Sequence, residues 1–257
     1  MKAQEILGMQ IDIVWEDRER NLASVRELLD RSRPRAGALV VLPEMFASGF
    51  SLDVAAATEG VGITEAFLSD SARRWGITLM AGLARAPGGC GANEAVVYGP
   101  DGVLLTRYQK LQPFTGAGEQ NSWPAGDRIV LFPWNGFMVA PFICYDLRFP
   151  ELFRRALEQG ATLFAVCANW PVARHDHWTL LLKARAIENQ ACVVGVNRAG
   201  ADPRFSYRGG SLIIGPGGEI LAEAGDSAEA IRAAVSPAMV ADWRASFPAV
   251  RDRRNDF

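Results

Sequence analysis

Histidine is almost missing from this chain: only His175 and His177 occur in 257 residues. Cysteine hydrolases usually take their base from an imidazole, and zinc sites usually draw on several donors at set spacing. The two histidines lie two apart, so on a helix they do not share a face. No cysteine or carboxylate at zinc-ligand spacing accompanies them. A polar pair at the start of a helix near Trp178 accounts for both, and no metal is expected. Lysine is nearly as scarce. Of 27 basic residues only Lys2, Lys110 and Lys183 are lysine. Where a surface charge suffices this chain uses arginine, so a lysine inside a motif points to a need for a compact ammonium.

Other absences narrow the function further. The four cysteines (Cys90, Cys144, Cys167, Cys192) are scattered, with no short paired spacing. That argues against a disulfide framework and for reduced thiols in a cytoplasmic protein. No window reaches the length of a membrane-spanning helix. The start, Met1-Lys2-Ala3-Gln4-Glu5, has no apolar leader, so a cytoplasmic location is expected. Net charge is −2, with both signs mixed along the chain. That gives no basic field for nucleic acid or an anionic membrane.

What is present is apolar and α/β in pattern. Nearly half the residues are hydrophobic (49%), ample for one domain over residues 1–257 or two closely joined halves. Strands are expected at 4–14, 38–42, 77–83, 94–98 and 103–108, then at 128–132, 137–143, 162–167, 191–196, 210–214 and 219–222. Helices are expected at 17–33, 64–75, 150–159 and 178–190, the last with Leu181, Leu182, Ala186 and Ile187 on one face. Gly99-Pro100-Asp101-Gly102 and Gly215-Pro216-Gly217-Gly218 each join two strands. The shared pattern hints at two similar α/β halves. The tail at 237–257 is rich in charge and aromatics, suited to wrapping the body or meeting a second subunit.

Cys144 stands at the end of an apolar, strand-like run, Pro141-Phe142-Ile143-Cys144-Tyr145-Asp146-Leu147-Arg148-Phe149-Pro150. Proline suits the first turn of a helix. A strand is thus expected to deliver the thiol near a helix start, where the dipole favours a thiolate. With no histidine suited to the task, the base is expected to be a carboxylate. Glu44 follows Val40-Val41-Leu42-Pro43 at the C-terminal end of a buried strand, where α/β folds place site residues. A capping loop glutamate is the plainer reading of the same position. Lys110 ends the strand Thr106-Arg107-Tyr108-Gln109. Glu119 follows in the glycine-rich Thr115-Gly116-Ala117-Gly118, which could also be a surface loop.

These residues together resemble the Glu-Lys-Cys motifs of the nitrilase superfamily, the carbon–nitrogen hydrolases. The resemblance rests on Pro43-Glu44-Met45-Phe46, on Lys110 with Glu119, and on the Cys144 run. It extends through Asn169-Trp170-Pro171, His177-Trp178, the segment from Lys183 to Gln190, and Gly195-Val196-Asn197-Arg198, nearly the whole chain. The segment Glu44 to Phe50 and the Trp-Pro-x-x-Arg-x-x-His-Trp pattern from Trp170 to Trp178 are most similar to the ω-amidase branch, which hydrolyses the terminal amide of 2-oxo acid amides such as 2-oxoglutaramate. One departure stands out: relatives often carry His-Leu-Phe where this chain reads Gln112-Pro113-Phe114.

The resemblance implies a four-layer α-β-β-α sandwich of two pseudo-symmetric halves, a small-molecule amide as substrate, no cofactor, and a homodimer paired through helices near the cysteine. It implies Glu44 as general base, Cys144 as nucleophile, Lys110 with the Tyr145 N–H as oxyanion donors, and Glu119 placing the hydrolytic water. A substrate carboxylate calls for an arginine; Arg148, Arg174 and Arg198 lie in or near the motifs, and Arg174 is the first candidate. Arg148 reads instead as an ion pair with Asp146 or Glu151. Phe114, Tyr145 and Trp170 are candidate pocket walls or core aromatics. Lys183 reads as an ion-pair residue beside Arg185 and Glu188, and Cys90, Cys167 and Cys192 as small buried hydrophobes. A carbamoylase, an aliphatic amidase or a nitrilase would share Glu44, Lys110 and Cys144. A catalytically silent binding module is the alternative of another class.

Overall fold

The apolar runs become strands buried on both faces. In the computed structural model, which describes residues 3–254, β1 (Gln4–Gln10) is followed by α1 (Arg18–Ser32), β2 (Leu39–Val41), α2 (Val54–Thr58), α3 (Val61–Trp75), β3 (Thr78–Arg85), β4 (Ala92–Tyr98) and β5 (Leu104–Gln109). The second half contributes β6 (Phe132–Trp134), β7 (Phe137–Ile143), α4 (Pro150–Glu158), β8 (Leu163–Ala168), α5 (His175–Asn189) and β9 (Cys192–Asn197). A small hairpin of β10 (Ala199–Ala201) and β11 (Ser206–Arg208) precedes β12 (Leu212–Ile214), β13 (Ile220–Glu223), β14 (Glu229–Val235) and α6 (Pro237–Ser246).

Successive strand residues point to opposite faces. In the first half Ile6, Leu39, Val41, Met80, Ala95 and Val97 face the second sheet. Their neighbours Leu7, Val40, Leu42, Leu79, Ala81 and Val96 face α1 and α3, meeting Leu22, Val25, Leu28 and Leu68. On the far side Leu152 and Phe153 of α4 and Trp178, Leu182 and Ala186 of α5 cover the second sheet. The layers are therefore α-β-β-α. A one-residue slip of any inner strand would exchange its two apolar faces, which is why register is firmly held.

The strand orders are β14-β1-β2-β3-β4-β5 and β13-β12-β9-β8-β7-β6. In each sheet three strands run parallel, β1-β2-β3 and β7-β8-β9, before an antiparallel pair, β4-β5 and β12-β13. The Gly-Pro turns that hinted at a repeat thus occupy equivalent corners of two matching sheets.

The structure corrects four local expectations. The strand expected at 128–132 is instead β6, at Phe132–Trp134. The tight Asn135-Gly136 turn, with φ of 44° and 87°, brings Trp134 directly opposite Phe137, so pairing starts beside the turn. The helix expected from Trp178 begins at His175 and buries Trp178, Leu182, Arg185, Ala186 and Asn189, leaving Ile187 53% exposed. Arg185 turns inward because its guanidinium donates to Leu147 O at 3.2 and 2.7 Å. It also takes Glu188 at 2.9 Å, so Lys183 forms no ion pair among the described residues, contrary to expectation. Cys90 is exposed, not buried.

The tail wraps its own body. Arg244 of α6 donates to Gln190 O, and Gln190 Nε2 donates to Phe247 O at 2.6 Å. Residues 255–257 of the expected tail lie outside the described residues.

Candidate active site

The site forms where the C-terminal ends of β2, β5, β7 and β8 converge between the sheets. Each strand end delivers one polar group. Glu44 comes just after β2, Lys110 just after β5, Cys144 just after β7 and Asn169 just after β8.

The Glu44 segment passes close over β3. A Cβ on Gly82 would lie 2.3 Å from Glu44 Cα, so only glycine permits the approach. Phe46 N donates to Gly82 O and Gly82 N to Pro43 O, pinning the crossing. Beyond Glu44, Met45 takes a left-handed φ of 43°, and Cys144 itself has φ 45°. Non-glycine residues pay roughly 1–2 kcal/mol for that region, and such strain gathers where a side chain must be aimed.

Glu44, Lys110 and Glu119 form a buried charge cluster. The Lys110 ammonium lies 2.8 Å from Glu44 Oε1, and 3.0 and 2.9 Å from the two Glu119 oxygens. Asn93 Nδ2 bridges the carboxylates, donating to Glu44 Oε1 at 2.8 Å and Glu119 Oε1 at 2.9 Å. Asn169 closes the cluster from the second sheet. Its N–H donates to Glu44 Oε2 at 2.9 Å and its Nδ2 to Glu44 O at 2.8 Å. Phe114 N–H donates to Glu119 Oε2 at 2.6 Å. Burial alone would drive the proton from Lys110, but the charges around it, Glu119 first and then Glu44, hold the ammonium well above its ordinary range.

The Cys144 thiol lies over this cluster, with Sγ 3.8 Å from Asn169 O. The structure revises its expected ionisation. Cys144 opens a 3₁₀ turn, Cys144–Arg148, and α4 starts only at Pro150, so the thiol gains no place at the helix N-terminus. Burial, then the Glu44 charge, push the thiol well above its ordinary value, and Lys110 opposes them only in part. At neutral pH the resting group is a thiol that needs a base.

Above the thiol a narrow cleft opens. Glu44, Lys110, Cys144 and Asn169 form its floor, and Phe50, Phe114, Tyr145, Trp170 and Phe205 its walls. Arg148 and Arg174 stand at its rim, and neither makes an ion pair among the described residues. This corrects the reading of Arg148 as a partner of Asp146 or Glu151. Asp146 is fully buried and faces Tyr108, Ile143 and Gln112. Arg148 lies over the Trp170 ring at 4.7 Å, with Nη2 3.2 Å from His177 Nδ1. Arg174 lies over Phe114 at 5.3 Å. Burial, then the nearby Arg174 charge, lower the Arg148 guanidinium from its ordinary value. Two unpaired cations that feel one another at the mouth of an aromatic cleft make a receptor for an anion.

Of the residues singled out in the sequence, Glu44, Lys110, Cys144, Tyr145, Phe114, Trp170 and Arg174 all line the cleft. Glu119 does not; it sits behind Lys110. Gln112 and Pro113 also lie off the cleft wall, so the departure from His-Leu leaves that wall to Phe114. Asn93 and Phe205 were not singled out, and Phe50 was named only as the end of the Glu44 segment. Asn93 carried a signal, a polar residue at the start of an otherwise apolar strand. Phe205 carried none, because it arrives from the distant β10–β11 turn.

Comparison with known proteins places the chain. Residues 6–245 match the family model described as carbon-nitrogen hydrolase. The chain is 36% identical over 255 residues to "Omega-amidase YafV" of Escherichia coli K12, covering 98% of this chain and 97% of that protein. It is 32% identical to "2-oxoglutaramate amidase" of Bacillus subtilis, covering 96% of each. Among solved structures, a CN-hydrolase superfamily protein from Xanthomonas campestris with an arsenic adduct in its active site superposes with a TM-score of 0.93, at 32% identity, over 100% of this chain and 99% of that one. An amidase from Nesterenkonia sp. AN1, carrying the acetamide moiety of fluoroacetamide covalently added at its active-site cysteine, superposes with a TM-score of 0.86, at 28% identity, over 98% and 94%. The chain belongs to the carbon–nitrogen hydrolase family and has its α-β-β-α sandwich.

Proposed function

We propose that this hydrolase is an ω-amidase, cleaving the terminal amide of small 2-oxo dicarboxylic acid ω-amides such as 2-oxoglutaramate to the acid and ammonia. The observation that carries the reading is the protonated Cys144 thiol over a buried Glu44–Lys110–Glu119 cluster, beneath a rim with two unpaired arginines. The relatives named for ω-amidase and 2-oxoglutaramate amidase activity support the substrate class.

The chemistry follows from the arrangement. Glu44 takes the thiol proton as Cys144 Sγ attacks the amide carbon. The oxyanion is held by Lys110 and the Tyr145 N–H, one such donor being worth about 3 kcal/mol. Glu44 returns the proton to the nitrogen, the C–N bond breaks, and ammonia leaves a thioester. Water then loses a proton to Glu44, attacks the thioester carbon, and Glu44 reprotonates the departing thiolate. Glu119, enclosed by Lys110, Asn93 and Phe114 donors, holds Lys110 in place and through it the site where water attacks. Arg148 and Arg174 take the substrate carboxylate, while the apolar walls suit its short carbon chain.

Ammonia release across a panel tests this. 2-Oxoglutaramate should exceed butyramide, N-carbamoyl amino acids and aliphatic nitriles in kcat/KM by about 10²-fold or more. A nitrile or carbamoyl compound at the top of the panel would overturn the substrate, and no turnover of any member would leave a binding module. Replacing Arg148 or Arg174 with Gln should raise KM for 2-oxoglutaramate roughly tenfold or more, with a much smaller change for butyramide. Equal changes for both amides would remove the arginines from carboxylate recognition. We further read the enzyme as a cytoplasmic homodimer. Exposed Leu180 and Ile187 on α5 support pairing on that face, and a monomer by sedimentation would refute it.

A further inference from the structure

The fully buried carboxylate two residues beyond Cys144 takes no part in the steps above. Asp146 Oδ2 accepts from Ile143 N–H at 2.9 Å and from the Tyr108 hydroxyl at 2.8 Å, and Oδ1 accepts from Gln112 N–H at 2.9 Å. Ile143 is the last residue of β7, immediately before the nucleophile. Tyr108 lies on β5 two residues before Lys110, and Gln112 lies two residues after it. One carboxylate therefore ties both flanks of Lys110, from the first sheet, to the residue that aims Cys144, from the second. Tyr108 also packs edge-on against Phe142 of β7, with ring centroids 5.7 Å apart.

We propose that Asp146 is a positioning residue for the amide hydrolysis: a strut between the two sheets that sets the strained Cys144 turn relative to Lys110. The assignment rests on the reading of Cys144 as nucleophile and Lys110 as oxyanion donor. Cys144 has a left-handed backbone that must be held by its surroundings. The ionised carboxylate holds it with three donors; protonation turns an acceptor oxygen into a donor, so the Tyr108 hydroxyl must reverse or a bond to an N–H must weaken. The titratable and charged groups around it are Tyr108 and Lys110 from the first sheet and the Cys167 thiol of β8. Burial pushes the carboxyl up from 3.8 to about 7, against the pull of Ile143, Lys110, Tyr108 and Gln112. Two opposite pH trends follow. Between the unfolded value of 3.8 and about 7 the native state binds a proton that the unfolded chain has released, so stability falls as pH rises through that window. Turnover, which needs the ionised strut, rises as pH climbs through about 7.

The test uses Asp146→Asn and Tyr108→Phe in the full chain. Asp146→Asn should lower kcat about tenfold or more with KM within about twofold of wild type, and should remove the limb of the kcat profile near neutral pH. Tyr108→Phe, which leaves two of the three donors, should lower kcat less, by roughly threefold to fivefold. Alkylation of Cys144 by iodoacetamide, followed peptide by peptide so that exposed Cys90 is read separately, should slow in the same order. That readout does not depend on which amide is the substrate, so failure of the strut is distinguishable from failure of the ω-amidase reading. Both variants with wild-type kcat and alkylation rates would overturn the proposal. So would a loss carried entirely by KM, or one explained by the folded fraction alone. If Asp146→Asn does not fold, Tyr108→Phe decides.

Discussion

Two buried cations of this protein, Lys110 and Arg198, one tied to each sheet, are balanced in opposite ways. Lys110, at the end of β5, is surrounded by Glu44 and Glu119, and its ammonium is held well above the ordinary range. Arg198, just after β9, donates instead to the backbone carbonyls of Ile13, Ala199 and Ala201, and burial lowers its guanidinium from its ordinary value. Its one carboxylate contact among the described residues, Asp12 at 3.3 Å, leaves an aspartate side chain that is 63% exposed. Carbonyl dipoles neutralise a cation without titrating, which suits a joint between loops. Carboxylates neutralise it while remaining able to take a proton, which suits a site that must move one. The same contrast separates the matching strand ends. After β2 stands Glu44 and after the equivalent β8 stands Asn169, and the two meet across the sandwich. Both strand ends converge on one cleft, and an acid at one end with an amide at the other leaves a single base facing a donor.

The harshest break of this comparison is Cys144→Ala. If the thiol over the carboxylate cluster is what separates the ends, kcat should fall at least about 10⁴-fold, and no acyl-enzyme should be trapped by mass spectrometry, while thermal unfolding changes little. Retained turnover would mean that the chemistry lies elsewhere. Next is Lys110→Met, which leaves Glu44 and Glu119 buried without their cation. Stripping one partner from a buried ion pair costs roughly 3–5 kcal/mol, and losing an oxyanion donor costs roughly 10²–10³-fold in kcat. Denaturant unfolding and steady-state kinetics should therefore both shift. A variant that keeps its stability would show that the carboxylates do not need the ammonium.

Which parts of this were legible in the sequence follows from the range of the interactions. Local periodicity located α1, α3 and the inner strands, because a buried strand or helix face is encoded in its own residues. The scarcity of histidine and lysine directed attention to Glu44 and Lys110, and the motif order joined them to Cys144. Family resemblance, not periodicity, supplied the sandwich. The missed features all depend on distant partners. Arg148 could not be freed from Asp146 on paper, since Asp146 is claimed by Tyr108, 38 residues away. Glu119 looked like a loop carboxylate until its four donor contacts were in place. The thiol was expected to gain from a helix dipole, but the helix starts six residues later, and burial decides its ionisation.

Asn169→Asp sharpens the contrast at the strand ends by making both of them acidic. The new carboxylate would face Glu44 O and Oε2, where an amide donor now sits. A second negative charge there opposes ionisation of the pair, so the acid limb of kcat/KM should move to higher pH and kcat should fall roughly tenfold. An unmoved profile would mean that the amide of Asn169 does not tune the base.

The smallest expected effect lies at Asp12→Asn. If backbone carbonyls are what satisfy Arg198, the exposed carboxylate contributes little. An ion pair this open to solvent is worth roughly 0–1 kcal/mol, and Asn retains an oxygen that can accept from the same nitrogen. Unfolding free energy should change by less than about 1 kcal/mol, and kcat should stay within roughly twofold of wild type. Raising the salt concentration should narrow even that difference, since screening acts most on exposed charges. A loss of several kcal/mol would show that Arg198, like Lys110, depends on a carboxylate, and the distinction between the two cations would fail at its weaker member.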